Sequence, residues 1–499
     1  MKVIIAYPPI DSHKGYPTLG QNRQFQFFKE PTYIYPVVPA TAATLLKEAG
    51  HQVVWLDCIA QNWDYAQFLK FIQEERPDLI AFETKTPVIK QHWKIINDIK
   101  GLSTQIANAE EAQGALPKIV LFGDHVTALP EESFQNSQVD FILTGGDYDF
   151  LLLNLCNFLE KNIELEPGIY YRENGQIKNS GRFQLNHDLN SLPFIDRDLT
   201  QWQLYAYKNG NYKRTPGTYI MSGRDCWYHD CTFCSWPTLY PEFRVRNTEN
   251  VLDEIGTLIE GYKIREIMDD TGTLAVGEWL KDFSSGMIRR KYNKEIFIDC
   301  NMRFGALSAE DLSLMKKANF RLLLFGLESA NQKTLDRLNK NLKVERIVQD
   351  CQLATKAGLF PHITLMFGYP WETYEEALET LKLGRWLLNK GLAYTMQATL
   401  VIPYPGTHLY EECKQEGWLK ALDWDSYDMK QTVMQTTMPE ARAMELIQGM
   451  YKVTFQPQFI LRKLFSLRDV DDFKYFLRAA KKVVGHIFDF KRKRECPGQ

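Results

Sequence analysis

Three features that would place this 499-residue chain in a common class are missing from it. It has no run of 18 apolar residues, so the sequence predicts no transmembrane helix. Lys and Arg number 59 against 62 Asp and Glu, which gives a net charge of -3 and not the basic excess of a general nucleic-acid binder. It also lacks the G-x-G-x-x-G pattern of nicotinamide and flavin folds. The composition that remains is that of a globular protein with two or three domains.

A disulfide framework is not expected either, because the nine cysteines are an odd number scattered over a long chain. Residues 3–6 form too short an apolar run for a signal peptide and lead at once to Pro8 and Pro9. Both observations favour a reducing, cytoplasmic location. Four cysteines stand singly in helical or strand patterns and are expected to be small buried apolar residues: Cys58, Cys156, Cys351 and Cys413.

Three of the five remaining thiols point to a metal centre, because Cys226, Cys231 and Cys234 lie within nine residues in a C-x4-C-x2-C pattern. Structural zinc usually takes four ligands, and electron-transfer iron–sulfur clusters usually take four cysteines. A [4Fe–4S] cluster on three thiolates would leave one iron open for a substrate or cofactor, which is a catalytic arrangement. Two alternatives stay open: a zinc site completed by His229 or Cys300, and three unrelated loop cysteines.

Residues 1–165 alternate short apolar runs with helical patterns, which predicts an α/β domain with a doubly wound parallel sheet. Such a sheet binds ligands beyond the carboxyl ends of its strands. Glycines there let a ligand approach the backbone, although Gly145-Gly146 equally fits an ordinary turn. The candidate binding residues at these ends are Pro8, Pro9, Gly123, His125, Gly145 and Gly146.

The rest of the chain divides into three predicted parts. Residues 166–215 are rich in Pro, Gly, Asn and Asp and predict a linker with its own hairpin at 168–178. Residues 216–415 contain six β/α units, fewer than the eight of a full barrel, and predict an open, partial barrel. Residues 416–499 are mostly helical. Polar residues follow the barrel strands, where β/α barrels gather their catalytic groups: Asp269, Asp270, Arg303, Glu328 and Ser329.

Several motifs together resemble a known family. They are the three cysteines after a strand, the Gly-Leu-Glu-Ser strand end at 326–329, Phe-Gly-Tyr-Pro-Trp-Glu-Thr at 367–373 and Pro-Tyr-Pro-Gly-Thr at 403–407. Over residues 1 to about 425 the chain is similar to radical S-adenosylmethionine (SAM) enzymes. It resembles more narrowly the branch with an N-terminal cobalamin-binding domain, which carries a stretch like that at 123–132. The commoner family spacing is C-x3-C-x2-C, so this loop is one residue longer.

The resemblance implies a [4Fe–4S] cluster on the three cysteines, with SAM chelating the fourth iron and giving a 5′-deoxyadenosyl radical. It places Phe233 near the adenine, Asp269 and Asp270 near the amino group of SAM, and Arg303 and Glu328 near its ribose or carboxylate. Ser329 is a further expected cofactor contact. An ion pair between Arg303 and Glu328 is the structural alternative.

Cobalamin is the third cofactor that the resemblance implies, at the N-terminal sheet of the cobalamin-binding type. The Asp-x-His-x-x-Gly pattern of histidine-ligated cobalamin is absent, so His125 is not expected to bind the cobalt. Two alternatives stay open: a radical SAM enzyme whose N-terminal domain serves only as a substrate platform, and a non-catalytic zinc-binding regulatory protein.

The reaction that the resemblance implies is methylation at an unactivated carbon, with ring closure or rearrangement as alternatives. The aromatic segment 236–241 after the cysteines suggests a hydrophobic small-molecule substrate. The expected electron donor is a flavodoxin or ferredoxin. The basic run 490–494 is expected to be a solvated terminus, with peripheral contact to a membrane surface as the alternative.

Overall fold

The computed structural model describes residues 1–10, 12–19, 25–106 and 117–489. The basic run at 490–494, for which membrane contact was the alternative, lies outside these residues. None of the helices in the described ranges is long and apolar enough to cross a membrane. The cysteines in these ranges are all free thiols, and the four predicted to be buried are buried.

The N-terminal part is a seven-stranded sheet in the order β4-β1-β5-β6-β7-β8-β9. Its first five strands are parallel, as predicted, and β8 and β9 continue it in antiparallel pairing. Its elements, with the separate β2–β3 pair, are β1 (Lys2–Tyr7), β2 (Tyr16–Pro17), β3 (Phe27–Phe28), α1 (Val37–Glu48), β4 (Gln52–Asp57), α2 (Cys58–Gln61), α3 (Tyr65–Glu75), β5 (Leu79–Glu83), α4 (Ile89–Ile106), β6 (Lys118–Phe122), α5 (Asp124–Ala128), α6 (Pro130–Asn136), β7 (Phe141–Leu143), α7 (Tyr148–Lys161), β8 (Ile169–Glu173) and β9 (Gln176–Asn179).

Both faces of this sheet are covered, because neighbouring residues of a strand point to opposite sides. In β1, Val3 and Ile5 pack into one apolar cluster while Ile4 and Ala6 pack into the other. Parallel strands buried on both faces read as continuous apolar runs, which is why the sequence predicted them.

The central part is a six-stranded parallel sheet in the order β10-β13-β14-β15-β16-β17, an open half-barrel as predicted. A short antiparallel pair, β11 and β12, flanks the cysteine loop. The elements are β10 (Gly217–Ile220), β11 (Gly223–Arg224), α8 (Trp236–Leu239), β12 (Arg244–Val245), α9 (Thr248–Tyr262), β13 (Glu266–Asp269), α10 (Glu278–Arg289), β14 (Phe297–Met302), α11 (Ala309–Lys317), β15 (Phe320–Glu328), α12 (Gln332–Arg337), α13 (Val344–Lys356), β16 (Phe360–Phe367), α14 (Tyr374–Lys390) and β17 (Thr395–Leu400).

The C-terminal part is mostly helical, as predicted. Its helices are α15 (His408–Gln415), α16 (Glu440–Lys452), α17 (Pro457–Phe465) and α18 (Val470–Asp489). Residues of α16 join the apolar core of the half-barrel, including Leu446 and Met450. The helical segment therefore completes the barrel core.

The predicted hairpin at 168–178 forms β8 and β9, but it extends the N-terminal sheet and is not a free-standing part of a linker. Helix α7 was missed because its run of Leu residues hides the helical period. Strand β15 ends at Glu328, within the strand end expected at 326–329, and its pairing with β16 shifts register between Gly326 and Glu328. The division of the chain at 165, 215 and 415 stays a prediction.

Candidate active site

The cysteine loop leaves β10 at the carboxyl end of the half-barrel, and its three thiols line one cavity. The Sγ atom of Cys226 lies 3.0 Å from Oγ1 of Thr273. Two aromatic side chains fix the loop to its neighbours: Nε1 of Trp227 donates to the carbonyl of Leu274 at 3.1 Å, and the hydroxyl of Tyr228 donates to the carbonyl of Asn339 at 2.6 Å. The loop is thus held by the strands and turns around it.

Of the two residues that could complete a zinc site, His229 lies within the cysteine loop, whereas Cys300 does not. His229 bonds to Asp225, and Cys300 is 0% exposed in the apolar core of the half-barrel. In the described part of the chain, no group of three or more His, Cys, Asp or Glu side chains is arranged to hold a metal ion. This finding applies to a site for a single metal ion. It does not apply to an iron–sulfur cluster, because each thiolate of a cluster binds a different iron.

The cavity has a volume of about 630 Å³ and runs along the inner face of the half-barrel. Alternate residues of one strand line it because side chains two apart share a face. On β16 these are His362, Thr364 and Met366. Four of the predicted SAM contacts also line it: Phe233, Asp270, Arg303 and Glu328.

The other two predicted contacts are buried outside the cavity lining. Asp269 accepts hydrogen bonds from the backbone N–H of Ser222 at 3.3 Å and from the hydroxyl of Thr271 at 2.6 Å. The hydroxyl of Ser329 donates to Oε1 of Glu372 at 2.8 Å. Burial raises the pKa of Asp269, and the bonds from Ser222 and Thr271 oppose that shift. Asp269 and Ser329 therefore hold the strand ends in place through hydrogen bonds made outside the cavity.

Glu328 forms a buried ion pair with Lys340, with Oε1 and Nζ 2.6 Å apart. Arg303 instead donates to the carbonyl of Lys340 at 2.7 Å and stacks on Tyr228 with its guanidinium 3.4 Å from the ring centre. The alternative of an Arg303–Glu328 pair is therefore wrong. Burial lowers the pKa of Lys340, but Glu328 more than offsets this, so the net pKa is raised.

Cys231 lies beside these cations. Its Sγ is 3.8 Å from Nη1 of Arg303. Burial raises the pKa of the Cys231 thiol, while Lys340 and Arg303 oppose that shift. A negatively charged thiolate or cluster would be complemented by the two cations.

Sequence reasoning missed two residues that line this end of the cavity, Thr273 and Asn301. Lys340 also lines it; the turn before Lys340 is part of the family resemblance, but no role in the site was predicted for Lys340. Thr273 and Asn301 follow or end strands already singled out, so the strand-end rule could have found them. Lys340 could not be found that way. It lies in the turn after α12, and a left-handed backbone at Glu328, with φ of 60°, positions the carboxylate opposite it.

The residues present fit a [4Fe–4S] cluster with SAM. Three partly exposed thiols face the cavity, two cations lie beside Cys231, and the cavity has a polar rim next to apolar walls. A cluster requires thiolates, and SAM requires partners for a cation, a carboxylate and a ribose.

The N-terminal candidates are in closed surroundings. A Cβ on Gly123 would meet the carbonyl of Thr84, one on Gly145 the ring of Phe183, and one on Gly146 the ring of Tyr240. These glycines therefore accommodate other parts of the chain. Pro8 is buried and Pro9 half-buried.

His125 is 1% exposed and bonds to Oγ1 of Thr86 and Oε2 of Glu132, each at 3.1 Å. The ring of Trp424 packs edge-on against it, with centres 5.2 Å apart, and its Nε1 donates to Glu132 at 2.9 Å. Trp424 belongs to residues 424–429, which we call the edge-covering segment. Lys14 binds this segment through Asp428 at 2.8 Å.

In this conformation the described strand ends do not fit cobalamin. Thr84, Lys85 and Asp124 at these ends are each 5% exposed or less, whereas a corrin ring needs an open face. The carboxylate of Asp147, directly after Gly146, is held by Arg224 and Arg244 at 2.6 Å each, which ties the sheet to the half-barrel.

Comparison with known proteins agrees with the half-barrel site. The Radical SAM superfamily model matches residues 220–384. An uncharacterized methyltransferase of Pyrococcus horikoshii is 24% identical over 445 residues, which cover 87% of this chain and 88% of the relative. The anaerobic magnesium-protoporphyrin IX monomethyl ester cyclase of Rubrivivax gelatinosus is 22% identical over 469 residues, 91% of this chain and 80% of the relative.

Two solved structures share the fold over nearly the whole chain. The cobalamin-dependent SAM radical enzyme OxsB, with aqua-cobalamin and SAM bound, matches with a TM-score of 0.69 and 14% identity, covering 97% of this chain and 71% of OxsB. The radical SAM methyltransferase TsrM from Kitasatospora setae, with cobalamin and a [4Fe–4S] cluster bound, matches with a TM-score of 0.65 and 14% identity. The match covers 96% of this chain and 98% of TsrM. Residues 220–384 therefore match the radical SAM domain, and the chain as a whole shares its fold with OxsB and TsrM.

Proposed function

We propose that this enzyme uses a [4Fe–4S] cluster and SAM to modify an apolar small molecule by methylation or ring closure. The observation that carries the proposal is that Cys226, Cys231 and Cys234 open onto the same apolar cavity. When bound, these cofactors supply a carbon radical that can take hydrogen from an unactivated carbon. The relatives named methyltransferase and cyclase support this choice of reaction classes.

In this proposal the cavity residues orient SAM. Asp270 binds its amino group, Arg303 its carboxylate, and the Lys340–Glu328 pair its ribose, while Phe233 lies against the adenine. Arg303 suits a carboxylate because guanidinium groups offer paired donors. Asp269 and Ser329 are positioning residues, since they act through Thr271 and Glu372.

The walls of the cavity determine what the substrate can be. Leu324 in β15, Met366 near the end of β16 and Met396 near the start of β17 line it with apolar side chains. A largely apolar cavity with a few polar groups binds small organic molecules, and closing it excludes water from a reactive radical. A reduced flavodoxin or ferredoxin is the proposed electron donor.

Cobalamin is the proposed third cofactor, because the two structures that share the fold contain it. Since the strand ends are closed as described, binding requires the edge-covering segment to move away from His125. The same closure favours a second candidate function, a radical SAM enzyme that works without cobalamin. In that case the N-terminal sheet serves as a platform for the half-barrel.

The test uses anaerobically purified, cluster-reconstituted enzyme with dithionite, SAM and hydroxocobalamin. We expect about four irons per chain and formation of 5′-deoxyadenosine. Cys231→Ala should lose its iron and should form no 5′-deoxyadenosine. Cys300→Ala, the matched control in the barrel core, should keep its iron. One tetrahedral zinc and no 5′-deoxyadenosine would reject the proposal. Cobalamin retained after gel filtration supports the cobalamin-dependent enzyme. Loss of cobalamin supports the radical SAM enzyme that works without it.

A further inference from the structure

The cavity extends beyond the SAM end to the opposite end of the half-barrel, where the strands begin. His362 near the start of β16 and Met366 near its end both line it. Four residues of strand span about 13 Å. A ligand could therefore reach from the cysteines to the far end, which helices α17 and α18 close with Phe459 and Tyr475.

This far end is rich in cations. Lys463 lines the cavity, and its Nζ donates to the carbonyl of Tyr394 at 2.7 Å. Its Nζ lies over the rings of Tyr394 and Phe459, and the ion pairs found among the described residues do not include it. Burial lowers its pKa well below the usual value, and Arg321 and Lys213 add to that shift. The protein itself thus supplies no anion to match this amine.

The acids nearby already have partners. Arg321 holds both Glu266, at 2.7 Å, and Asp299, at 2.5 Å. Asp472 is shared by Lys213 at 2.9 Å and Arg214 at 2.7 Å. The carboxylates are therefore engaged, and Lys463 is left without an acidic partner in the part of the chain that the structure describes. Its lowered pKa favours the neutral amine, and a bound anion would favour the charged form.

A neutral donor completes the arrangement. His362 is 7% exposed, and burial lowers its pKa to about 4, so its ring is neutral at physiological pH. Nδ1 of this ring lies 2.9 Å from the hydroxyl of Thr395, while Nε2 has no hydrogen-bond partner in the described part of the chain. When Nδ1 accepts the hydroxyl proton of Thr395, Nε2 carries a proton that it can donate. Ser466 also lines this end, and its hydroxyl donates to the carbonyl of Lys463 at 2.7 Å, so it is not a free donor.

We propose that the substrate carries an anionic group, a carboxylate or a phosphate, which binds Lys463 at this far end while its apolar body reaches toward the cysteines. The inference rests on the proposed function, because it assigns the substrate class of the same cavity. Charge at one end fixes the direction of the molecule and so determines which carbon reaches the SAM end. The apolar side chains that line the cavity require that body to be apolar.

Binding of three twelve-carbon probes to the cluster-reconstituted enzyme tests this: dodecanoate, dodecyl phosphate and dodecanol. We expect the enzyme to bind at least one of the two anions about tenfold more tightly than the alcohol, as a charge-assisted hydrogen bond allows. The tighter anion identifies the head group. Lys463→Met should bind that anion no better than dodecanol, and Lys463→Arg should recover most of the difference. Lys474→Met, on the exposed side of α18, is the matched control and should behave as the native enzyme.

Equal binding of dodecanol and both anions by the native enzyme would overturn the inference, as would an unchanged preference in Lys463→Met. Circular dichroism and thermal melting of each variant show whether it is folded. Formation of 5′-deoxyadenosine without substrate is measured in the same samples. If it persists while anion preference is absent, the substrate class is wrong and the radical SAM function stands. If it is absent in the native enzyme, the proposed function fails.

Discussion

A Cβ atom on Gly326 would stand 2.5 Å from Nζ of Lys340, inside the ion pair that this lysine makes with Glu328. Glycine at 326 therefore provides the space in which the pair forms. Because the pair borders the cavity beside Phe233 and Cys231, the backbone of β15 determines where a positive charge lies relative to the cluster ligands.

Gly326→Ala should displace Lys340 and lower the rate of 5′-deoxyadenosine formation about tenfold, by loss of one oriented ion pair. Iron content should not change, because the atoms nearest to the added Cβ belong to Glu328 and Lys340 and not to a cysteine. The matched control is Gly261→Ala in α9, where an added Cβ meets nothing within 4 Å. Native rates in Gly326→Ala would show that SAM does not depend on the position of Lys340.

Local patterns predicted the three cysteines and the strand ends, because a strand, a turn and a thiol spacing are short-range features. The Lys340–Glu328 pair was not predictable, since it depends on a bulge in β15 and on a turn twelve residues later. Gly145 and Gly146 show the same limit. The sequence predicted that a ligand approaches them, with an ordinary turn as the alternative, whereas the groups next to them in the structure are Phe183 and Tyr240 from distant parts of the chain.

Glu372 should make the stability of the enzyme depend on pH. Burial raises the pKa of its carboxyl to about 7, while hydrogen bonds from Ser329 and Thr334 oppose the shift. The folded state then holds a proton that the unfolded state releases near pH 4.5, so stability falls as the pH rises from about 4.5 through about 7. The loss should be up to about 3 kcal/mol.

Glu372→Gln should remove this dependence, because glutamine cannot ionise. Urea unfolding of the reconstituted enzyme at pH 5 and pH 8 measures it. The variant should be more stable than the native enzyme at pH 8, with little difference at pH 5. Exposed Glu375→Gln is the control. An identical pH profile in native enzyme and Glu372→Gln would contradict the prediction.

His187 should stabilise the contact between the N-terminal sheet and the half-barrel when its ring is protonated and positively charged. Burial lowers its pKa, but Asp147 and Glu166 outweigh this and raise it to about 9. The contribution is complete below about pH 6.5 and is lost as the pH rises through about 9. Since solvent reaches the ring, we expect about 1 to 2 kcal/mol.

Thermal melts between pH 6 and pH 10 test this contact. His187→Gln should lower the melting temperature at pH 6 and should approach the native value at pH 10. Exposed His408→Gln, the control, should follow the native curve throughout. A constant difference between His187→Gln and the native enzyme at every pH would mean that the ring acts through packing, for which its stacking on Phe150 at 4.1 Å provides a cause.

Trp424 should limit access to the ligand edge of the N-terminal sheet, because it packs on His125 and bonds to Glu132. A ligand that binds only an open state pays for the opening, so its apparent affinity falls by the fraction of open molecules. Trp424→Ala should therefore bind hydroxocobalamin about tenfold more tightly than the native enzyme, in equilibrium titrations followed by corrin absorbance. Trp386→Ala, at an exposed tryptophan of α14, should bind as the native enzyme does. Weaker binding in Trp424→Ala would make Trp424 part of the cobalamin site. If neither the native enzyme nor Trp424→Ala nor Trp386→Ala binds hydroxocobalamin, the second candidate function, a radical SAM enzyme without cobalamin, is the one supported.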